Sequence, residues 1–382
     1  MKILIVTTQD RFFLTHIKER ALFFRDQGCI VAVAAQKTSQ EYVEQICEYG
    51  FAFYDTKIER RSINIFSEFL ALIDLFKINR DFRPDISYHL GAKAIFYGTF
   101  IGRLVNSKIG ILNAPIGLGY VFASDQIRAK LLRPIVSTFY KLFLNPKNSK
   151  VIVENFDDIN YFIRKGYLNS RDAYCILGAG VNTKEFLPLP FNQRNNICTV
   201  VMASRLIKEK GVLDFVEAAR RLYGLKVPVR MQLIGEPDYG NPSSISKKDF
   251  QKICNEPFVE YLGFQKKVLP FLQKAHICCL PSYYREGLPR VLVEATSTGL
   301  AVLTTDTIGC KETIRDQNGF TFKPHDVDKL TNLIQYLVDH PIELENMCMR
   351  SRTVAINYFE TSKICQRTFE VVRLLLNEIS KN

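Results

Sequence analysis

Short strand-like segments alternate along this chain with longer stretches whose apolar positions recur at helical spacing. In the first half, strand patterns fall at Ile3–Val6, Ile30–Ala34, Asp85–His89 and Val151–Glu154. A helical pattern over His16–Gln27 separates the first two, and Gly28 stands where a left-handed C-cap residue belongs. Pro84 precedes the third strand, and Ala92–Val105 reads as the helix that follows it. Strands made of near-continuous apolar residues are covered on both faces. Interleaved with helices, they predict a doubly wound, mostly parallel α/β sheet.

The Pro- and Asn-rich stretch 187–196 interrupts this series and reads as a linker. A second alternating series follows, with strands at Thr199–Met202, Val229–Ile234, Val259–Leu262, Ile277–Leu280 and Ala301–Thr304. Two amphipathic helices, Val327–Asp339 and Ser362–Ile379, end it. The chain has 382 residues, too many for one ordinary core. Two domains are therefore expected, 1–188 and 189–382, with the last helix a candidate to pack back on the N-terminal one. Two such domains in tandem would place a ligand cleft at the C-terminal ends of their strands.

Composition narrows the class. At 47% apolar the chain can build cores, yet it has no apolar run of the ~18 residues that span a membrane. Its first residues form a strand pattern and not a signal peptide. Ten cysteines without a secretory signal point to reduced thiols in a cytosol, and Cys278 and Cys279 read as buried small hydrophobes. The formal charge is +12, which suits an anionic partner such as a membrane surface or a lipid pyrophosphate. Tryptophan is absent and the basic residues are dispersed, so a nucleic-acid partner is not expected.

The chemistry concentrates after Ile277–Leu280. Glu286 and Glu294 stand with seven residues between them, in Glu286-Gly287-Leu288-Pro289-Arg290-Val291-Leu292-Val293-Glu294. Pro289 fits the first turn of a helix that ends near Gly299. First-turn amides and the positive end of the helix dipole suit a phosphate. A carboxylate before the helix and another within it can accept hydrogen bonds from hydroxyls, so the layout suits a sugar nucleotide. Upstream, Arg205 and Lys210 occupy a strand-to-helix turn in Arg205-Leu206-Ile207-Lys208-Glu209-Lys210-Gly211. Two fixed cations there could hold a diphosphate and stabilise its charge as it leaves.

The pair E-x7-E, combined with R-x4-K-G, resembles the donor site of retaining glycosyltransferases of family 4. That resemblance implies the GT-B fold, two Rossmann-like doubly wound domains facing across a cleft. Other stretches are similar to one bacterial branch acting on undecaprenyl-linked sugars in O-antigen and capsule assembly. They are Gly117–Phe122, Asn155–Asp158, Gly178–Asn182, Gly235–Ile245 and Pro281–Arg290. By this resemblance Glu294 would bind the ribose hydroxyls and Glu286 the donor sugar. Arg205 and Lys210 would bind the diphosphate, and the backbone of Gly287, Leu288, Pro289, Arg290 and Val291 would help at the helix start. His16, Gly117 and Gly119 are acceptor-side candidates. A UDP-linked hexose-type donor, a lipid-linked acceptor, and no cofactor or metal are expected.

Departures and rivals complete the reading. Thr7–Phe13 stands where many family members have a glycine-rich loop, and Asn113-Ala114-Pro115-Ile116 where many have a functional histidine. His89, like His16, follows the strands of the first domain, with a core or capping role as the other reading. Asp326-Val327-Asp328 reads as a helix cap after Pro324 and His276 as structural. Gly117-x-Gly119 lacks a third glycine at 122, so no dinucleotide fingerprint is present. Arg128–Leu144 mixes cations with large apolar groups, as an interfacial helix does, although a packed helix with a basic face reads the same way. The expectation is a cytoplasmic enzyme, peripheral on the inner face of the cytoplasmic membrane. The alternatives are a non-hydrolysing UDP-sugar epimerase and an inactive scaffold of a glycan-assembly complex.

Overall fold

A computed structural model describes residues 1–59, 64–116 and 127–381. The chain divides into two compact units, 1–179 with 362–382, and 180–361. The first unit holds seven strands: β1 Lys2–Gln9, β2 Ile30–Gln36, β3 Ala52–Asp55, β4 Ile86–Leu90, β5 Gly110–Ala114, β6 Ser149–Val153 and β7 Ala173–Cys175. They lie in the order β3-β2-β1-β4-β5-β6-β7. Every pairing in this sheet is parallel. Ile3, Leu4, Ile5 and Val6 are fully buried, as a strand covered on both faces requires.

The second unit repeats the plan with six strands: β8 Cys198–Ala203, β9 Val229–Ile234, β10 Glu260–Tyr261, β11 Ile277–Leu280, β12 Ala301–Thr305 and β13 Gly319–Phe322. Their order is β10-β9-β8-β11-β12-β13, again all parallel. Each sheet has one switch point, between β1 and β4 in the first and between β8 and β11 in the second. Connections leave these neighbouring strands in opposite directions, which opens a crevice beyond their C-terminal ends.

Several expectations shift. The helix expected over His16–Gln27 is two helices, Asp10–His16 and Lys18–Asp26, with Ile17 between them at φ −122 and ψ −23. Asp10 anchors the first: its Oδ2 accepts from the Thr38 amide at 2.7 Å and the Ser39 amide at 3.2 Å. The loop expected over 7–13 is therefore the end of β1 followed by a helix. The 187–196 stretch lies inside the second unit, because the division falls at 179/180. Arg194 fastens that stretch, donating to the carbonyls of Ala275 at 3.2 Å and Thr298 at 3.4 Å.

The helix Thr361–Ser380 belongs almost wholly to the first unit. Phe369 places its ring against Phe23 and Phe24 at 5.9 and 5.8 Å. Glu378 pairs with the nearly buried Lys150 at 2.8 Å, beside Asp172 at 2.7 Å. These contacts hold a helix made at the far end of the chain onto the sheet built by its beginning.

Candidate active site

The charged residues singled out above gather at the switch point of the second sheet. Lys210 closes a single 3-10 turn, Lys208–Lys210, just beyond β8. Gly211 follows at φ 73, and a Cβ there would stand 2.0 Å from the Pro281 carbonyl oxygen. Only glycine permits that approach. It presses the loop after β8 onto the end of β11 and brings the Lys210 ammonium into an ion pair with Glu286 Oε1. Both side chains are only 15% exposed, so solvent screens this pair weakly.

Backbone and hydroxyl groups fix the loop that carries Glu286. The Glu209 carbonyl accepts from the amides of Tyr283 at 2.9 Å and Tyr284 at 3.2 Å. Ser282 Oγ lies 3.1 Å from that same carbonyl and 3.2 Å from Glu286 Oε1, one hydroxyl between two acceptors. Thr307 Oγ1 donates to the Ser282 carbonyl at 3.1 Å. A Cβ on Gly309 would sit 2.6 Å from the carbonyl oxygens of Glu286 and Gly287, so the loop after β12 closes on them from another side.

Arg205 also reaches a carboxylate, but a different one. Its Nη1 pairs with Asp238 Oδ2 at 2.9 Å. Asp238 belongs to the loop after β9, which is laced to the 205–209 turn. Leu206 N donates to Glu236 O at 2.9 Å, Lys208 N to Ser243 O at 2.9 Å, and Ile245 N to Leu206 O at 3.2 Å. Ser243 Oγ donates to Glu209 Oε1, while Glu209 Oε2 is buried without a partner. Both expected phosphate-binding cations are thus held by carboxylates, Lys210 by Glu286 and Arg205 by Asp238.

Glu294 sits within the helix Arg290–Ser297 and is 8% exposed. Burial raises its pKa, and the Arg290 guanidinium, donating to Oε1 at 2.7 Å, opposes that rise. Pro289 stands one position earlier than expected, at the N-cap instead of inside the first turn. Its carbonyl takes the amides of Leu292 at 3.1 Å and Val293 at 3.3 Å. The Arg290 and Val291 amides therefore precede the helical ladder. The helix ends as expected, with Gly299 at φ 68 donating to Thr296 O at 3.1 Å.

In the first unit, His16 ends its helix with its ring stacked on Phe12 at 4.5 Å and Nδ1 2.7 Å from Thr15 Oγ1. It lines a small cavity with Arg20, Pro115, Ile116 and Glu154, beyond the ends of the central strands. His89 lies inside β4 and is fully buried. Its Nδ1 is 2.8 Å from Asn113 Oδ1 and its Nε2 2.7 Å from Ser87 Oγ. Burial lowers its pKa to about 4, so it is a neutral core histidine. Gly117 and Gly119 lie outside the described residues.

The patterns set aside above resolve simply. Asp326 Oδ1 caps its helix by accepting from Lys329 N at 2.9 Å. His276 Nδ1 accepts from Thr199 N at 3.2 Å, and burial beside Arg194 lowers its pKa to about 4. Cys278 and Cys279 are fully buried in β11, and all ten cysteines are free. What sequence reasoning missed are the groups that hold the site. Ser282, Asp238 and Glu209 stood in the quoted stretches without a role, and Gly309 stood outside them. Except for Ser282 and Glu286, four residues apart, their partners are distant in sequence, so no spacing pointed to them.

Comparisons with known proteins lead to glycosyltransferases. A family model described as "Glycosyl transferases group 1" matches residues 183–353, and one described as "Glycosyl transferase 4-like" matches residues 2–155. One relative is the N,N'-diacetylbacillosaminyl-diphospho-undecaprenol alpha-1,3-N-acetylgalactosaminyltransferase of Campylobacter jejuni. It is 26% identical over 352 residues, covering 89% of this chain and 90% of its own. A second is the UDP-Gal:alpha-D-GlcNAc-diphosphoundecaprenol alpha-1,3-galactosyltransferase of Escherichia coli, 22% identical and covering 79% of each chain. Among solved structures, Anabaena HepE in complex with UDP superposes with a TM-score of 0.77 at 17% identity, over 98% of this chain and all of its own.

Proposed function

The chain belongs to glycosyltransferase family 4 and has the GT-B fold, and from that premise we propose that it moves a hexose-type sugar from a UDP donor to an undecaprenyl-diphosphate-linked saccharide. The observation that carries this reading is the convergence of Arg205, Lys210 and Glu286 on the switch point of the second sheet, beside the helix that holds Glu294. The two transferases compared above are named for diphospho-undecaprenol acceptors, and one of them for a UDP donor. Neither the epimerase nor the scaffold alternative draws comparable support.

In this reading the donor diphosphate displaces the two carboxylates that hold Lys210 and Arg205. Freed from Lys210, Glu286 accepts hydrogen bonds from the sugar hydroxyls, while buried Glu294 accepts from the ribose. The bond between the anomeric carbon and the diphosphate oxygen breaks, and the acceptor oxygen bonds to the same face of that carbon. The acceptor proton passes to the leaving diphosphate. Configuration is retained, and no separate base is needed. The two cations and the Arg290 and Val291 amides supply the positive potential that the leaving group needs, without a metal.

The acceptor is lipid-linked in this proposal, so the enzyme works as a peripheral protein on the inner face of the cytoplasmic membrane. No described helix is long and apolar enough to cross a membrane. The test is a screen of UDP-, GDP- and ADP-sugars for protection against thermal unfolding, followed by transfer to a diphospho-undecaprenol saccharide. Protection by UDP-sugars with transfer and retention is expected. Protection with interconversion of the free UDP-sugar and no transfer would sink the proposal.

A further inference from the structure

We propose that the outer face of three helices in the first unit, Ile65–Phe82, Ala92–Val105 and Ile127–Phe143, is a docking surface for an anionic lipid bilayer. The inference deepens the membrane part of the proposed function and rests on it. The connections from β3 to β4, β4 to β5 and β5 to β6 all step the same way across the sheet. Right-handed crossovers in one direction put their helices on one face. The middle helix touches both neighbours. Its Tyr97 hydroxyl donates to Glu68 at 2.6 Å, and its Phe96 ring stacks on Phe139 at 5.0 Å.

Away from the sheet, these helices present apolar stripes at helical spacing. Phe66 is 70% exposed, Phe69 60%, Leu104 63%, Leu131 70%, Ile135 54% and Leu142 59%. Ten of the twenty-four exposed large hydrophobic side chains among the described residues lie on these three helices. So large an apolar face marks an interaction site. Its charge names the occupant. Lys93 and Glu68 pair with each other and Arg103 reaches the Ser107 carbonyl. The other described charges on the three helices are Lys77, Arg80, Lys130, Arg133 and Lys141 against Asp74 and Asp81, 5 − 2 = +3, and the second and third helices have no carboxylate at all. Apolar stripes among cations match an interface of acyl chains below anionic headgroups. A second copy of the chain would set +3 against +3.

The absence of tryptophan makes the test direct. Single Phe69→Trp, Leu104→Trp and Leu131→Trp variants report one helix each, and Tyr223→Trp, 59% exposed in the second unit, is the control. On vesicles of phosphatidylglycerol and phosphatidylcholine, the three reporters should shift to shorter emission wavelength and be quenched by brominated chains, while the control should not. The variant Phe66→Ser, Phe69→Ser, Leu104→Ser should lose vesicle partition by at least about tenfold, with unchanged thermal unfolding.

A response from Leu131→Trp alone would overturn the three-helix face in favour of a single docking helix. A shift that grows with protein concentration in the absence of lipid would overturn it in favour of self-association. Silence at all three sites would overturn it as well. Transfer to a soluble acceptor analogue, measured in parallel, separates these outcomes: if transfer is absent from the unmodified protein, the transferase reading has failed and not the docking face.

Discussion

Replacing Asp238 by asparagine should tighten donor binding, although Asp238 lies within the proposed donor site. Its carboxylate holds Arg205 at 2.9 Å, and an arriving diphosphate must break that pair. The Arg205 side chain is 55% exposed and that of Asp238 27%, so water and salt screen the pair. Such a pair is worth about 0.2–1 kcal/mol. Removing it should lower the UDP dissociation constant by about 1.4- to 5-fold. Arg205→Ala has the opposite sign, because a hydrogen bond to a charged group contributes about 1.5–3 kcal/mol. The assay is UDP titration calorimetry on both single variants and the double variant. In the Arg205→Ala background Asp238→Asn should give no gain, since nothing is left to release. Weaker binding by Asp238→Asn, or an equal gain in both backgrounds, would refute the reasoning. It does not extend to Glu286, whose proposed role is to contact the sugar once Lys210 has let go.

Glu294→Ala should weaken UDP binding by about one to two decades, and Glu286→Ala should lower turnover more than affinity. Binding of UDP by the unmodified protein should also fall as pH drops through the raised pKa of Glu294, above the ordinary 4.5 of a glutamate, and Glu294→Gln should remove that limb in titrations of UDP affinity against pH. Donor turnover should survive excess EDTA on membrane-free enzyme with a soluble acceptor, whereas Lys210→Ala should cost about 10²–10³ in turnover. Loss with EDTA and recovery with Mn²⁺ would count against the metal-free site. His89 and His276 should titrate near pH 4, against 6.5 when unfolded. Their depressed pKa values mean that the unfolded chain binds protons first. Stability is therefore full above pH 6.5 and lost as pH falls toward 4, by several kcal/mol in all. Imidazole NMR shifts showing either ring protonated at pH 6 would contradict this.

What was legible in the sequence follows physical lines. Ile277–Leu280 is wholly apolar, Val229–Ile234 alternates apolar residues with Arg230 and Gln232, and both strands have the bounds expected. The strand Gly110–Ala114 passed unread because Gly110 and Asn113 break its apolar run, although all five residues are buried. The helix Ile65–Phe82 passed unread for the opposite reason. Phe66, Phe69 and Phe76 put apolar groups on its solvent side and blur the period that marks an amphipathic helix. At the site, residue types at strand ends were readable because their chemistry is local. The pairing of Arg205 with Asp238 was not, since a turn after β8 and a loop after β9 meet only once the sheet exists. The extra glycine, Gly309, has meaning only through the carbonyls of Glu286 and Gly287 that it nearly touches.

The helix Thr361–Ser380 completes the first unit, yet its residues follow the whole of the second in sequence. During synthesis the strands β1 to β7 therefore leave the ribosome without one of the helices that cover them. The sites of Phe23, Phe24 and Lys150 stay open until Phe369 and Glu378 emerge. The second unit, continuous in sequence, can close first, which reverses the usual N-to-C order of domain folding. A stop codon or a misplaced tag near residue 360 would spare the second unit and leave the first incomplete. Premature exposure of an unfinished apolar sheet is a route to aggregation, so such truncations should accumulate as insoluble protein with an intact second unit. The last twenty residues thus act as a latch on folding order as much as an element of the fold.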